Sequence, residues 1–470
     1  MKARYLIATA ALIATVAQLA VASAGAANAA AATYVLVAAD ERLPVGLEQQ
    51  VASLGGSLTF TAPEIGVAVA TSAEPAFGES ASTLTGIRSV LPDVLLPLEA
   101  TTVPAAVSNP PFTGDDDVLL DLQWGLDAID APEAWAAGHR GTGARVAVLD
   151  TGIDVHHPDL APNLNLALST SFIPGLGVEA PPGPGIPVGG PLHHGTWVAG
   201  IVAGADNGVG TIGVAPEAEL VAVRVCREPD GPCPFSAMLA GIAYAATVGA
   251  DVINLSIMAT LPRSALRDEQ GNVIPASEVA ELLVAFRRAF RFAASRGATS
   301  VVIAGNDARN LDGDGNLIQL WADLPQVIAV SATGPNGWGL DPTTNLDLPA
   351  FYTNYGRSAV DFAAPGGNLD FDLFFPDPFA HICTVVVTFP CAAFDFIVGP
   401  TTGGWTFALG TSGAAPHVAG VAALIVGSSG GALRPAEVEA ALRASADDLG
   451  APGLDPFYGH GRINAARALP

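Results

Sequence analysis

From Leu119 onward, short runs of apolar, often β-branched residues alternate with longer stretches in which small and apolar residues recur at helical spacing. The runs are Arg145–Leu149 (RVAVL), Leu220–Val225 (LVAVRV), Val252–Ser256, Ser300–Ala304 (SVVIA) and Val327–Ser331. Helices are predicted near His194–Ala203, Ser236–Thr247, Glu278–Ser295, Ser412–Val426 and Pro435–Ala444. Strands that are apolar throughout, rather than at every second position, are buried on both faces. Separated by helices, they imply an α/β fold whose mostly parallel sheet is covered on both sides. In such sheets functional groups gather at the carboxyl ends of strands and at the helix N-termini that follow.

The first hundred residues read differently. Thr33–Ala38 (TYVLVA) predicts a strand, Leu43–Leu54 a helix, and Ser57–Val69 and Ile87–Leu98 two further alternating runs, so residues 30–99 form a small α/β unit. Residues 100–117 are rich in Pro, Thr, Ser and Asp and end in Asp115-Asp116-Asp117, the composition of an exposed, cleavable linker. Ahead of all this, Lys2 and Arg4 precede an apolar stretch from Tyr5 to Ala22 and the small-residue exit Ala27-Asn28-Ala29. A positive start, an apolar middle and an A-x-A end describe a secretory signal over residues 1–29. An uncleaved anchor suits the alanine-rich run less well, so no membrane association is expected after its removal. Residues 118–470 are then one large domain, with Pro174–Pro191 as a surface loop.

Composition narrows the function classes. Formal net charge is −25 and only 14% of residues are charged, which disfavours nucleic acid and anionic membranes as partners. Four cysteines fall as two local pairs, Cys226 with Cys233 and Cys383 with Cys391, neither with C-x-x-C spacing. Two short-loop disulfides fit the oxidising destination that the signal implies, although three connectivities are formally open.

Three segments carry chemistry. Val146-Ala147-Val148-Leu149-Asp150-Thr151-Gly152-Ile153-Asp154 is a strand ending on a carboxylate. His193-His194-Gly195-Thr196-Trp197-Val198-Ala199-Gly200 and Gly410-Thr411-Ser412-Gly413-Ala414-Ala415-Pro416-His417 each open a helix. Taken singly, an Asp after a strand or a Ser before a helix is usually a cap or turn residue. Together they hold what nucleophilic acyl transfer needs: a hydroxyl, an imidazole to take its proton, and a carboxylate to orient the imidazole. Val302-Ile303-Ala304-Gly305-Asn306 adds a side-chain amide at a strand end, suited to an oxyanion.

The order Asp, His, Ser within D-T-G-I-D, H-G-T-x-V-A-G and G-T-S-x-A-x-P-H resembles the subtilisin-like serine peptidases, the subtilase family. The resemblance extends from Gln123 to about Asn464 and implies a subtilisin-like three-layer domain. It implies Asp150 as the orienting carboxylate, His194 as base and later acid, Ser412 as nucleophile and Asn306 as oxyanion donor. His194 is chosen over His193 because it directly precedes Gly-Thr. Ser256, Ile257 and Met258 align with the strand that pairs with substrate main chain, and Gly305 with the opposite wall. The substrates implied are proteins and peptides. Residues 30–99 resemble the family's propeptide, an intramolecular inhibitor and folding aid, and the mature enzyme is expected to be a secreted monomer.

The sequence departs from the family at three places. Trp197 stands where a second histidine is usual, and Met258 replaces a glycine at the mouth of the specificity pocket, which predicts a narrower entrance. Gly413 replaces the methionine after the nucleophile, and without a thioether there tolerance of peroxide is expected. Asp159 and Asn207 match positions that hold a structural calcium ion through hard oxygen ligands. Asp312-Gly313-Asp314-Gly315-Asn316 only begins like a calcium loop and reads as a surface turn. No organic cofactor is implied. Two other functions were weighed: an α/β-hydrolase esterase, whose nucleophile would come first in the chain rather than last, and an inactive binding protein on a peptidase scaffold, which would lack a triad residue.

Overall fold

The computed structural model describes residues 31–96, 101–102 and 117–470, apart from short stretches at 184–187, 228–230, 259, 268–272, 314, 323, 375–380, 385–387 and 432. The expected signal peptide and most of the expected linker lie outside the described residues.

The N-terminal unit consists of β1 (Ala32–Ala38), α1 (Leu47–Ser53), β2 (Gly56–Ala62), β3 (Val67–Ser72), α2 (Phe77–Ser82) and β4 (Ile87–Pro92). Its strands form an antiparallel sheet in the order β2-β3-β1-β4. The single run expected over Ser57–Val69 is two strands, because Pro63 opens a tight turn between them. Alternation along β1 sorts its residues: Leu36 points to the two helices, while Val35 and Val37 face the larger domain. Two short strands lead out, β5 (Leu95–Leu96) and β6 (Thr101–Thr102).

In the larger domain β7 (Arg145–Asp150), β8 (Thr170–Ser171) and α3 (His194–Ala203) come first. β9 (Glu219–Arg224), β10 (Cys233–Pro234), α4 (Phe235–Thr247), β11 (Val252–Leu255), α5 (Ala276–Ser295), β12 (Thr299–Ile303), β13 (Val327–Thr333) and β14 (Phe362–Pro365) follow. The chain ends through β15 (Ile397–Thr401), β16 (Gly404–Leu409), α6 (Thr411–Ser428) and α7 (Pro435–Ser445). A parallel seven-stranded sheet runs in the order β14-β13-β12-β11-β7-β9-β8. Val146, Val148, Val301 and Ile303 face α3 and α6, whereas Ala147, Leu149 and Val302 face α4 and α5. The mostly parallel sheet between two helical layers is the expected architecture. Helix α6 is apolar and long enough to cross a membrane, but nearly all of it is buried as a core helix. The cysteines pair as Cys226–Cys233 and Cys383–Cys391, the local pairing expected from their spacing.

Candidate active site

Asp150 is the last residue of β7, and His194 and Ser412 stand at the first turns of α3 and α6. The packing of these elements on small residues brings their ends together. A β-carbon on Gly195 would lie 2.6 Å from the Gly152 carbonyl oxygen and 2.9 Å from that of Thr151. Only glycine therefore lets the α3 N-terminus sit on the turn after β7, where Thr151 Oγ1 accepts the Gly195 N–H at 2.9 Å.

His194 Nδ1 and Asp150 Oδ1 are 2.7 Å apart, both residues almost fully buried. The Thr151 N–H donates to the same Asp150 oxygen at 2.7 Å, which holds the carboxylate in place. His194 Nε2 is buried with no hydrogen-bond partner, as a nitrogen reserved for a proton transfer would be. His193, the rejected neighbour, is occupied elsewhere: its Nδ1 lies 2.9 Å from Thr196 Oγ1.

Ser412 Oγ donates to the Ser256 carbonyl oxygen at 3.2 Å, not to His194. Ser256 Oγ in turn donates to the Ser412 carbonyl at 3.1 Å and accepts from Asn254 Nδ2. The Ser412 carbonyl is free to accept because Pro416, four residues on, has no N–H to give it. The proline of the G-T-S-x-A-x-P-H motif thus ties the turn at Ser412 to the end of β11. Asn306 follows β12, and its Oδ1 accepts from the Thr411 N–H at 2.9 Å and from Thr411 Oγ1 at 2.7 Å. With the oxygen so held, the orientation of the amide leaves Nδ2 as the group offered to a ligand. Thr411 was not singled out from the sequence, although its place beside Ser412 is a usable signal.

The remaining expected residues continue from two neighbouring strands. Ser256, Ile257 and Met258 continue from β11, Gly305 continues from β12, and the Met258 thioether lies against Gly305. The Ile257 carbonyl is taken by Trp321 Nε1 at 2.5 Å. Trp197 and Gly413 prove to be one departure rather than two: a β-carbon at Gly413 would lie 2.9 Å from Trp197 Cη2. The indole fills space next to Gly413, beside Ser412, and reaches the Ile397 carbonyl through Nε1 at 3.2 Å. On the same side His417 is fully buried, and burial pushes its pKa down to about 4 although the Gly413 carbonyl at 2.7 Å favours its proton.

Asp159 is buried and burial raises its carboxyl pKa, opposed by the Trp405 indole N–H, His157 and Thr211. Its Oδ2 accepts from Thr211 N at 2.9 Å, Thr211 Oγ1 at 2.8 Å and Trp405 Nε1 at 2.7 Å. Its Oδ1 has no hydrogen-bond partner. An orphaned carboxylate oxygen of this kind fits a cation. Asn207 spends Oδ1 on the Val209 N–H and Nδ2 on the Pro158 carbonyl, closing the adjoining loop. Among the described residues no three His, Cys, Asp or Glu side chains converge, and buried Asp117 also holds this loop, its Oδ1 accepting from the N–H groups of Asn207 and Val209. Asp312 accepts instead from Arg357 N and from Ser358 N and Oγ, the turn-anchoring role expected of it.

Comparison with known proteins speaks to the family and the fold. Residues 141–461 match the Subtilase family. Thermitase of Thermoactinomyces vulgaris is 30% identical over 360 residues, covering 76% of this chain and 99% of its own. Subtilisin BL of Lederbergia lenta is 32% identical over 347 residues, with 74% and 98% covered. Among solved structures, the epidermin leader peptide processing serine protease of Staphylococcus aureus superposes with a TM-score of 0.68. It covers 93% of this chain and 97% of its own, and at 20% identity it speaks for the fold alone. A seven-stranded parallel sheet between helical layers, together with a family match over residues 141–461, well over half the chain, makes this chain a member of the subtilase family of serine peptidases.

Proposed function

We propose that the chain is a secreted serine endopeptidase, made as a preproenzyme, that cuts peptide bonds through an acyl-enzyme on Ser412. The buried 2.7 Å pair between His194 Nδ1 and Asp150, with Nε2 left unpartnered, carries this reading. Ser412 Oγ turns from the Ser256 carbonyl to His194 Nε2 and gives up its proton as it attacks the substrate carbonyl carbon. The oxyanion that forms accepts from Asn306 Nδ2, while Asp150 balances the imidazolium charge. His194 then passes the proton to the leaving amine and the C–N bond breaks, leaving the acyl group on Ser412. A water attacks this ester with His194 taking its proton, and the acid departs as Ser412 recovers its hydrogen. The turn of Ser412 also frees the Ser256 carbonyl to accept a substrate N–H.

The N-terminal unit is read as the enzyme's own inhibitor. Its exit strands support this: β5 pairs antiparallel with β10, and β6 pairs with Ala408 and Leu409 of β16, two residues before Thr411. Both exit strands thus pair with main chain of the larger domain, one of them just ahead of Thr411 and Ser412, as a substrate strand would. Two disulfides and the N-terminal signal pattern favour secretion. A calcium ion at Asp159 would act structurally, and a chelator that lowers the melting temperature of wild type but not of Asp159→Asn would support it. The mature enzyme is read as a monomer, which light scattering checks.

Fluorophosphonate labelling of processed protein, beside a Ser412→Ala control and with casein hydrolysis in parallel, tests the mechanism. Labelling and hydrolysis should both vanish in the variant, with activity falling about 10⁴-fold or more. Correctly matured protein that takes up no label would sink the triad assignment and bring the inactive-scaffold reading forward.

A further inference from the structure

Two neighbouring parallel strands end near Ser412, with residues 256–258 following β11 and 304–306 following β12. On the peptidase reading, a substrate carbonyl carbon at Ser412 Oγ, with its oxygen toward Asn306 Nδ2, would direct its own side chain toward the space between these strand ends. In this chain the space has an occupant. The Met258 sulfur rests on Gly305 so closely that a β-carbon there would overlap it. Asn354 Nδ2 lies 3.9 Å from the sulfur, and Gln319 Nε2 also reaches it.

The surroundings of the thioether are fixed. Asn354 Nδ2 and Gln319 Nε2 both donate to the Ala304 carbonyl, at 2.9 and 3.2 Å. Asn354 Oδ1 accepts from the N–H groups of Asp307 and Arg309. Met258 itself is half-buried and packs against the main core. A large substrate side chain would have to expel the sulfur from a site whose other walls are held by hydrogen bonds.

Resting on the peptidase reading above, we infer that Met258 determines specificity by filling the space between these strand ends. The enzyme takes glycine or alanine at the residue whose carbonyl is attacked and selects against leucine and aromatic residues there. The sulfur adds no catalytic group; it removes room, and one buried methylene's worth of room discriminates by about tenfold or more.

The test compares mature wild type with Met258→Gly and Met258→Phe, each checked for an unchanged thermal transition. Cut sites in denatured casein are mapped by mass spectrometry, and kcat/KM is measured on two peptide amides that differ only in alanine or phenylalanine before the scissile bond. Wild type should cut after small residues and prefer the alanine peptide at least about tenfold. Met258→Gly should raise the phenylalanine-to-alanine ratio by a similar factor and spread the cut sites to large residues, while Met258→Phe should lower that ratio further. Wild type that cuts readily after large residues overturns the inference, as does a folded Met258→Gly whose ratio stays put. New peptide ends from neither enzyme would instead overturn the peptidase reading itself, so the two failures are told apart.

Discussion

The N-terminal unit and the domain behind it both lay helices on a sheet, yet they close their cores in different ways. The seven-stranded sheet is sealed on both faces, by α3 and α6 on one side and α4 and α5 on the other. The four-stranded sheet seals only one face. Its private core holds eight buried residues, with Leu36, Val51 and Phe77 at the centre. Its other face, through Val35, Val37, Val67 and Leu91, is continuous with the apolar cluster on α4 and α5. A core that small buries too little apolar surface to offset chain entropy, so half of what holds the unit together belongs to its partner. That asymmetry suits the removable inhibitor proposed above.

The largest expected effect breaks the comparison outright. A peptide of residues 32–96 alone should show a coil-like far-ultraviolet spectrum without a cooperative melt, and should gain structure when the mature Ser412→Ala domain is added. A sharp thermal transition in the isolated peptide would show that its private core suffices.

Arg288 of α5 sharpens the same point. It is 7% exposed, and its Nη1 donates to the carbonyls of Ala38 at 3.1 Å and Ile65 at 3.5 Å. Arg288→Ala leaves both carbonyls at the interface without their donor, a loss of about 1.5–3 kcal/mol for bonds to a charged group. The inhibition constant of the N-terminal unit, measured in trans by casein hydrolysis, should rise about 10- to 150-fold. A change of less than twofold would mean that apolar contact alone holds the unit in place.

On the sealed side, the prediction concerns one β-carbon. Gly413→Ala pushes against the buried Trp197 ring and should cost about 1–3 kcal/mol by overpacking. In the background of Trp197→His the same substitution should cost less, with a coupling of at least about 0.5 kcal/mol in denaturant titrations. Strict additivity would separate the two departures that the packing joins. The expected peroxide tolerance is a distinct matter, read from residual activity after dilute peroxide.

The motifs at Asp150, His194 and Ser412 were legible because each requirement is local: a strand end, a glycine at 195, a proline at 416. Helix limits read from the apolar spacing lie within two residues of those of α3, α4, α5 and α6. What the sequence did not reveal depends on partners distant in the chain. β14, β15 and β16 carry proline or glycine, which breaks the β-branched pattern that marks β7, β11 and β12. Arg288 reads as one more helix cation, since its partners are backbone carbonyls that no residue identity marks. Met258 was visible as a missing glycine, but the placement of its sulfur depends on Gly305, Gln319 and Asn354 in other segments.

The smallest effect belongs to the rim of the interface and tests whether charge or burial holds it. Arg88 of β4 meets Glu281 of α5 through two bonds, Nε to Oε2 at 2.6 Å and Nη2 to Oε1 at 2.8 Å, and Arg291 meets Glu41 nearby. The Arg88 side chain is 47% exposed, so water and salt already screen most of the attraction. Arg88→Ala should therefore weaken inhibition by only a few-fold, and in 1 M salt, where screening acts within about 3 Å, the difference should disappear. The loss caused by Arg288→Ala should persist at that salt, because its bonds are buried and made to neutral carbonyls. Should Arg88→Ala prove the costlier substitution, and salt abolish both effects, the unit would be held by its charged rim, and the contrast between a sealed core and a shared one would no longer explain why it stays bound.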